Sequence, residues 1–267
     1  MVVTVQSEIP GIAGEMVLKL FDRRFAQRCR VDENIEDWSP EYEEAYHKFL
    51  SDGRAPDFIS SLPPSSFDED RENWDDGQYE AYCHHILNRL YNAEVETYET
   101  LQDLQGNDIP RLYARVTLPI PASFEDPSLQ QWVDIPGILI EYLDGFDLTD
   151  LHQHAPKETW QSIGDEAMRI INVIGDRGIL NTDVNRRSFN INPKDFKARM
   201  MDFGNCRFRR DFGSEDEWRS AQAHEDEEGA IGTMMQVKLG EISPGAFTYK
   251  RSAKYEQLDQ DFMMEEV

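Results

Sequence analysis

Two stretches decide how this chain is interpreted: GILNTDVNRRSFNI at residues 178–191, followed by ARMMDFGNCRFR at residues 198–209. Asp183 stands in a polar loop between apolar segments, and Asp202 follows an apolar run and precedes Phe-Gly. Two carboxylates on loops at strand ends suit one base or orienting group and one ligand of a divalent cation. Either aspartate alone is more often a turn or cap residue. The rest of the sequence is therefore needed to distinguish a catalytic or metal-binding role from a structural one.

Two further charged residues stand where apolar side chains are expected. EMVLKLF, residues 15–21, predicts a buried strand and contains Lys19. Glu94 falls near the middle of the apolar stripe of a helix predicted from Tyr79 to about Gln105. Burying either charge alone is costly, so a strand lysine paired with a helix glutamate would satisfy both. The alternative is that the helix rolls and Glu94 lies at the edge of its buried face.

The other segments predict an α+β chain with two lobes. Residues 51–78, rich in Pro, Ser and acidic residues, predict an exposed loop or insertion, and residues 178–205 predict a compact loop region. The further predicted elements are strands at 110–118 and 137–143, a helix beginning at Ser39-Pro40, and helices at about 148–154, 157–177 and 215–239.

Composition excludes several classes of function. The chain has 267 residues and a formal net charge of -25, which disfavours binding to nucleic acid or to anionic membranes. Cys29, Cys83 and Cys206 are scattered and form no CxxC pair, so neither a disulfide framework nor a structural zinc site is expected. With no predicted signal peptide or membrane span, we expect a cytoplasmic protein, and a nuclear location stays open.

The order of the charged residues resembles the protein-kinase-like superfamily. An early strand lysine is followed by a glutamate on the next long helix, a hinge-like strand, an aspartate loop, and Asp-Phe-Gly nineteen residues after that aspartate. The resemblance runs from about residue 15 to about residue 240 and is greatest to the kinase-like proteins of filamentous fungi. The matching blocks are WSPEYEEAYHKFL, EVETYETL, LQGNDIPRLY, ILIEYLDG, DVNRRSFNI and MDFGNCRFR.

This resemblance implies a two-lobed protein-kinase-like fold. The N-lobe, residues 1–140, would be small and β-rich, with a truncated phosphate loop and an insertion at about 22–78. The C-lobe, residues 141–267, would be mainly helical and reduced, and would contain the catalytic loop and Asp-Phe-Gly.

The resemblance also implies which residues bind ATP. Lys19 matches the strand lysine that holds the nucleotide α- and β-phosphates, and Glu94 matches the helix glutamate that orients it. Glu141 to Leu143 match the interlobe hinge, whose backbone hydrogen-bonds adenine. Asp183 matches the aspartate that orients or deprotonates the acceptor hydroxyl, so Lys19 and Asp183 would be the catalytic residues.

The implied metal site departs from the family pattern. Asp202 matches the aspartate that binds Mg²⁺ bridging the phosphates. Ser188 replaces the family's asparagine, so its hydroxyl is the group offered to the metal and the nucleotide, with Asn185 or Asn190 as alternatives. Asn181 stands where the family has histidine.

The segments that match the beginning and the end of the kinase pattern are also shorter than in the family. Only Gly11 and Gly14 precede Lys19, which is too few for a full glycine-rich phosphate loop. No Ala-Pro-Glu follows Asp-Phe-Gly, and the 63 residues after Gly204 leave a small helical lobe. That lobe is more similar to small-molecule kinases of the aminoglycoside and choline type than to a full protein kinase.

Three functions therefore compete at the level of sequence. The first is an ATP- and Mg²⁺-dependent phosphotransferase that moves the γ-phosphoryl group to a hydroxyl of an unknown protein or small molecule. The second is a pseudokinase that acts as a nucleotide- or protein-binding regulatory module. The third, which rests on composition alone, is an acidic scaffold that binds no nucleotide.

Overall fold

A computed structural model describes residues 1–6, 13–62, 69–122 and 124–265 as a mixed α/β chain. Gly11 and residues 63–68 of the predicted 51–78 insertion lie outside the described residues. The described strands are β1 (Val2–Val5), β2 (Gly14–Leu20), β3 (Leu112–Leu118), β4 (Ile135–Glu141), β5 (Phe146–Asp147), β6 (Ile179–Asn181), β7 (Phe189–Ile191), β8 (Ala198–Met200) and β9 (Cys206–Phe208). The described α-helices are α1 (Gln27–Asp32), α2 (Pro40–Ser51), α3 (Ala55–Ser61), α4 (Asp76–Thr100), α5 (Leu151–His154), α6 (Trp160–Gly175), α7 (Glu215–Glu225), α8 (Glu227–Ile242) and α9 (Ala253–Glu265).

The largest sheet contains four strands in the order β1-β2-β4-β3. β1 pairs antiparallel with β2, with Val2 opposite Val17. The apolar run at 15–21 forms β2, as predicted, but the strand is not buried along its length: Met16 is buried, whereas Lys19 is half-buried. β4 requires glycine at position 137, because a Cβ there would lie 2.8 Å from the carbonyl oxygen of Lys19.

The chain divides into two compact units, and neither is a single stretch of sequence. Unit 1 consists of Met1, Leu18–Asn92 and Ala114–Leu139, and unit 2 consists of Val2–Val17, Ala93–Tyr113 and Ile140–Val267. The predicted lobes at 1–140 and 141–267 stay predictions.

Unit 1 is more helical than the predicted β-rich N-lobe. α2 begins as predicted, because the hydroxyl of Ser39 accepts a hydrogen bond from the backbone N–H of Tyr42 and Pro40 occupies the first turn. The prediction of a loop over 51–78 is wrong at 55–61, where the chain forms α3. Ala55 at the start of α3 is fully buried, because it packs into a core that includes Tyr46.

Unit 2 is built on α6, which packs against α8. The predicted compact loop at 178–205 contains three-residue strands, which are too short to show a periodic pattern. The predicted single helix at 215–239 is also wrong, because the chain breaks at Asp226 into α7 and α8. In the parts of the chain described above, no helix has both the length and the apolar character needed to cross a bilayer.

Candidate functional site

Two strand pairs in unit 2 hold the loops that carry Asp183 and Asp202. β6 pairs antiparallel with β9, with Asn181 opposite Cys206. β7 pairs antiparallel with β8, with Phe189 opposite Met200. Asp183 follows the end of β6 and Asp202 follows the end of β8. Both aspartates therefore lie on loops directly after short strands, as their sequence context predicts.

Asn181 joins these two loops. Its side chain is 1% exposed, and its Oδ1 accepts a hydrogen bond from the Asp183 N–H at 3.1 Å. Its Nδ2 donates to the Asp202 carbonyl oxygen at 3.0 Å. Both ends of one buried amide are thus engaged with the two predicted site residues. From the sequence, Asn181 was notable only because it replaces the family's histidine. In the structure its side chain forms a hydrogen bond with each of the two loops.

Asp202 has a backbone conformation that few residues adopt. Its φ is +70°, in the left-handed region, and the residue is exposed between the half-buried Met201 and the buried Phe203. Such a conformation costs a non-glycine residue about 1–2 kcal/mol, although aspartate tolerates it better than most. Backbone strain of this kind is concentrated at functional sites in proteins. The loop therefore holds the Asp202 carboxylate outward at some cost in stability.

The Asp183 loop is closed by a reciprocal cap. The Asn185 N–H donates to Ser188 Oγ at 3.1 Å, while Asn185 Oδ1 accepts from the Arg187 N–H at 3.0 Å. Asn185 Nδ2 also donates to the carbonyl oxygen of Asp183 at 2.9 Å. Ser188 is buried, and its oxygen already accepts a hydrogen bond from the backbone. Its predicted role as a metal and nucleotide ligand stays a prediction.

The C-terminal part of α4 contributes to unit 2 beside Asp-Phe-Gly. Glu94 is 1% exposed, so it lies on the buried face of the helix and not at its edge. The Tyr98 ring meets the Phe203 ring edge to face, with centroids 5.3 Å apart. Burial raises the pKa of Tyr98 well above its ordinary value, and the charges of Glu94 and then Asp202 raise it further. The Tyr98 hydroxyl therefore lies within the electrostatic influence of both Glu94 and Asp202.

Glu227 is a residue of this region that the sequence analysis missed. It is 2% exposed, and its Oε1 accepts a hydrogen bond from the Asn181 N–H at 3.0 Å. Burial raises its pKa to about 8, against the opposing effects of the Asn181 hydrogen bond and of Lys254. No local pattern marks this role, because Glu227 lies in the acidic run HEDEEG at 224–229.

The predicted hinge is fixed by arginines that the sequence analysis also did not select. The Glu141 carboxylate pairs with Arg199 at 2.7 Å and accepts from the Arg111 N–H at 3.1 Å. The Glu141 N–H donates to the Arg111 carbonyl at 2.9 Å, and the Leu143 carbonyl accepts from Asn190 Nδ2 at 3.5 Å. The predicted adenine contacts of Glu141 and Leu143 stay predictions.

Lys19 belongs to unit 1 and Glu94 to unit 2, so their pairing stays a prediction. Within unit 1, the Lys19 ammonium lies 5.4 Å from the centroid of the Phe21 ring. That ring in turn meets Tyr91 of α4 edge to face, with centroids 5.5 Å apart. Lys19 is therefore half-buried beside an aromatic ring.

The donor chemistry near Asp202 fits Mg²⁺. Magnesium is commonly bound by one or two carboxylates, with phosphate oxygens and water completing its shell. Asp202 supplies one exposed carboxylate and Asp183 a second, half-buried one on the loop joined to it by Asn181. Among the described residues, no three His, Cys, Asp or Glu side chains form a cluster that would hold a metal by themselves.

Comparison with known proteins finds likeness among solved structures and none among family models or curated proteins. No family model matches this chain, and no curated protein matches it. The solved structure of the Cydia pomonella granulovirus kinase PK-1 is similar at 15% identity, with a TM-score of 0.33, over 44% of this chain and 39% of the viral kinase. A kinase-like fold and a relationship to fungal proteins therefore both stay predictions.

Proposed function

We propose that this protein has a two-lobed protein-kinase-like fold and transfers the γ-phosphoryl group of ATP to a hydroxyl group of a protein or small molecule. The observation that supports this most is the Asn181 amide, which bonds to both Asp183 and Asp202. A buried amide that joins one half-buried and one exposed carboxylate residue suits a site in which an acceptor and a metal must be held at fixed positions.

In this proposal the two aspartates have different tasks. Asp183 orients the acceptor hydroxyl and accepts its proton, which requires a carboxylate within hydrogen-bond reach of the substrate. Asp202 binds Mg²⁺, which supplies positive charge to neutralise the phosphate oxygens. Lys19, oriented by Glu94, holds the α- and β-phosphates, and the hinge from Glu141 to Leu143 binds adenine. Little covalent chemistry is asked of the protein, because positioning and charge supply most of the catalysis.

A second function is favoured by the contacts of Ser188. Its Oγ accepts the Asn185 N–H inside a buried cap, so it is a poor replacement for a metal-binding asparagine. A site with one fewer metal ligand would bind nucleotide without efficient transfer. The alternative is therefore a pseudokinase that acts as a nucleotide- or protein-binding regulatory module.

The first prediction separates these two functions. We would measure thermal stability with ATP, with Mg²⁺ and with both, together with ATP hydrolysis and self-phosphorylation, for the wild type, Asp202→Asn and Asp183→Asn. Ligand at 100 times its dissociation constant stabilises a protein by about 2.7 kcal/mol. We expect Asp202→Asn to lose the Mg²⁺-dependent shift, and Asp183→Asn to keep it while turnover falls by about 10²–10⁴-fold.

The matched control is Asp216→Asn, which changes an exposed aspartate in the first turn of α7 and should alter neither readout. An increase in thermal stability with ATP that does not depend on Mg²⁺, without turnover, would favour the pseudokinase. Absence of any shift in the wild type would contradict phosphotransfer and nucleotide binding, and would leave only a pseudokinase that binds protein partners.

A further inference from the structure

Two of the three cysteines meet inside unit 1, although 54 positions separate them in the sequence. Cys29 lies on α1 and Cys83 on α4, and their thiols are hydrogen-bonded to each other. Cys83 Sγ also lies 3.9 Å from the carbonyl oxygen of Arg23, just before α1 begins. The two cysteines are far apart in the sequence, and only the packing of α1 on α4 brings them together.

A buried ion pair next to the cysteines holds these two helices in register. Arg30, which follows Cys29, pairs with Glu80 at 2.8 Å, and both side chains are almost wholly buried. Glu80 lies one helical turn before Cys83 on α4. Arg30 Nε also donates at 3.0 Å to the same Arg23 carbonyl that Cys83 approaches. Because breaking a buried ion pair is costly, the contact between the two thiols is held by its surroundings.

The two thiols differ in a way that suits a nucleophile and its partner. Cys29 is half-buried and so is accessible to a small reagent, whereas Cys83 is fully buried. The hydrogen bond from Cys83 lowers the pKa of Cys29, against the opposing effect of burial. The same bond, with burial, raises the pKa of Cys83. The thiolate is the reactive form of cysteine, and Cys29 is the thiol of the pair that a reagent can reach, so Cys29 is the first to react.

We propose that Cys29 and Cys83 form an oxidation-sensitive dithiol that peroxide converts into a reversible disulfide between α1 and α4. The Cys29 thiolate attacks one peroxide oxygen, which breaks the O–O bond, leaves hydroxide and forms a sulfenic acid. The Cys83 sulfur then attacks the Cys29 sulfur, so that the S–S bond forms and the S–O bond breaks with loss of water. Overall the two thiols lose two electrons and two protons, and one peroxide becomes two waters.

Cys206 in the same chain is an internal comparison. It is buried on β9 in unit 2, and burial raises its pKa. It should therefore react with peroxide or with an alkylating reagent far more slowly than Cys29. We expect the ratio of the two alkylation rates near neutral pH to be at least about tenfold.

The test is to treat the folded protein with hydrogen peroxide, digest it without reduction and identify linked peptides by mass spectrometry. We expect an intramolecular Cys29–Cys83 link that a dithiol reductant reverses, with Cys206 still reduced. The control variant Cys206→Ser should form the same link at the same rate. A Cys29 that becomes over-oxidised or links to a second molecule while Cys83 stays a thiol would overturn the proposal.

Two variants make the order of the steps testable. In Cys83→Ala the sulfenic acid of Cys29 has no partner, so a dimedone probe should capture several-fold more of it than in the wild type. In Cys29→Ser, at a half-buried position that tolerates a small change, Cys83 should stay unmodified. Equal dimedone capture in the wild type and Cys83→Ala would contradict a resolving role for Cys83. None of these outcomes depends on whether the chain binds nucleotide.

Discussion

At the scale of single residues, Glu227 supports the loop of Asp183 while its own carboxyl group is buried. Its Oε1 accepts the Asn181 N–H, and the Tyr255 hydroxyl lies 3.5 Å from its Oε2. Burial raises its pKa from 4.5 to about 8. The folded protein therefore binds this proton more tightly than the unfolded chain does, so the free energy of unfolding depends on pH.

The sign of that dependence gives a prediction. The contribution of this proton to the free energy of unfolding is complete below a pH of about 4.5 and is lost as the pH rises through about 8. Glu227→Gln keeps an amide oxygen for Asn181 and removes the titration. We expect the free energy of unfolding of the variant, relative to the wild type, to increase from pH 5 to pH 8 by about 1–3 kcal/mol, measured by urea denaturation.

Glu256→Gln, at an exposed position on α9, is the control for this experiment and should give a curve parallel to that of the wild type. If Glu227→Gln also ran parallel to the wild type between pH 5 and pH 8, the carboxyl group would not bind a proton in the folded state over this range.

At the scale of elements, Asp226 both ends α7 and begins α8. Its φ is +42°, and its Oδ1 accepts a hydrogen bond from the Gly229 N–H at 3.0 Å, which caps α8. Arg251 pairs with the same carboxylate at 2.8 Å. Gly229 has to be glycine, because a Cβ there would lie 1.9 Å from Asp226 Oδ2. One residue thus fixes the corner between two helices.

Two substitutions at Asp226 should separate the stability contributed by the helix cap from that contributed by the ion pair with Arg251. Asp226→Ala loses the cap and the ion pair and adds strain at a positive φ, so we expect a loss of about 2–3 kcal/mol in the free energy of unfolding. Asp226→Asn keeps the cap oxygen and tolerates this conformation, so its loss should be below about 1 kcal/mol. Chemical denaturation measures both, and equal losses would show that the ion pair with Arg251 dominates.

The limits of sequence-based prediction are also clearest at this scale. The burial of Glu94 was one of two alternatives visible in the sequence, because a charge in the middle of an apolar stripe stands out at helical spacing but the rotation of the helix does not. The break at Asp226 was not, because good helix formers lie on both sides of it and only the Arg251 ion pair and the Gly229 cap favour the corner. The roles of Asn181 and Glu227 could not be predicted, because a hydrogen bond between residues 46 positions apart leaves no local pattern in the sequence.

At the scale of the whole molecule, the net charge of -25 opposes compactness. Like charges repel in the folded state, and added salt screens that repulsion. We predict that raising NaCl from about 20 mM to about 200 mM raises the unfolding temperature at neutral pH by a few degrees. Near the sequence pI of about 4.5 the same salt should have little effect. Equal effects at both pH values would show that repulsion does not limit stability.

The order of strands in the large sheet has a consequence for synthesis of the chain. β2 lies beside β4 in the sheet, yet 114 residues separate the end of β2 from the start of β4. A ribosome adds about 5–20 residues per second, so β2 waits on the order of ten seconds for this neighbour to be made. During that interval one edge of an apolar strand is open to other nascent chains. We therefore expect slower translation to expose the growing chain to aggregation, and chaperones that shield extended segments to raise the yield of folded protein.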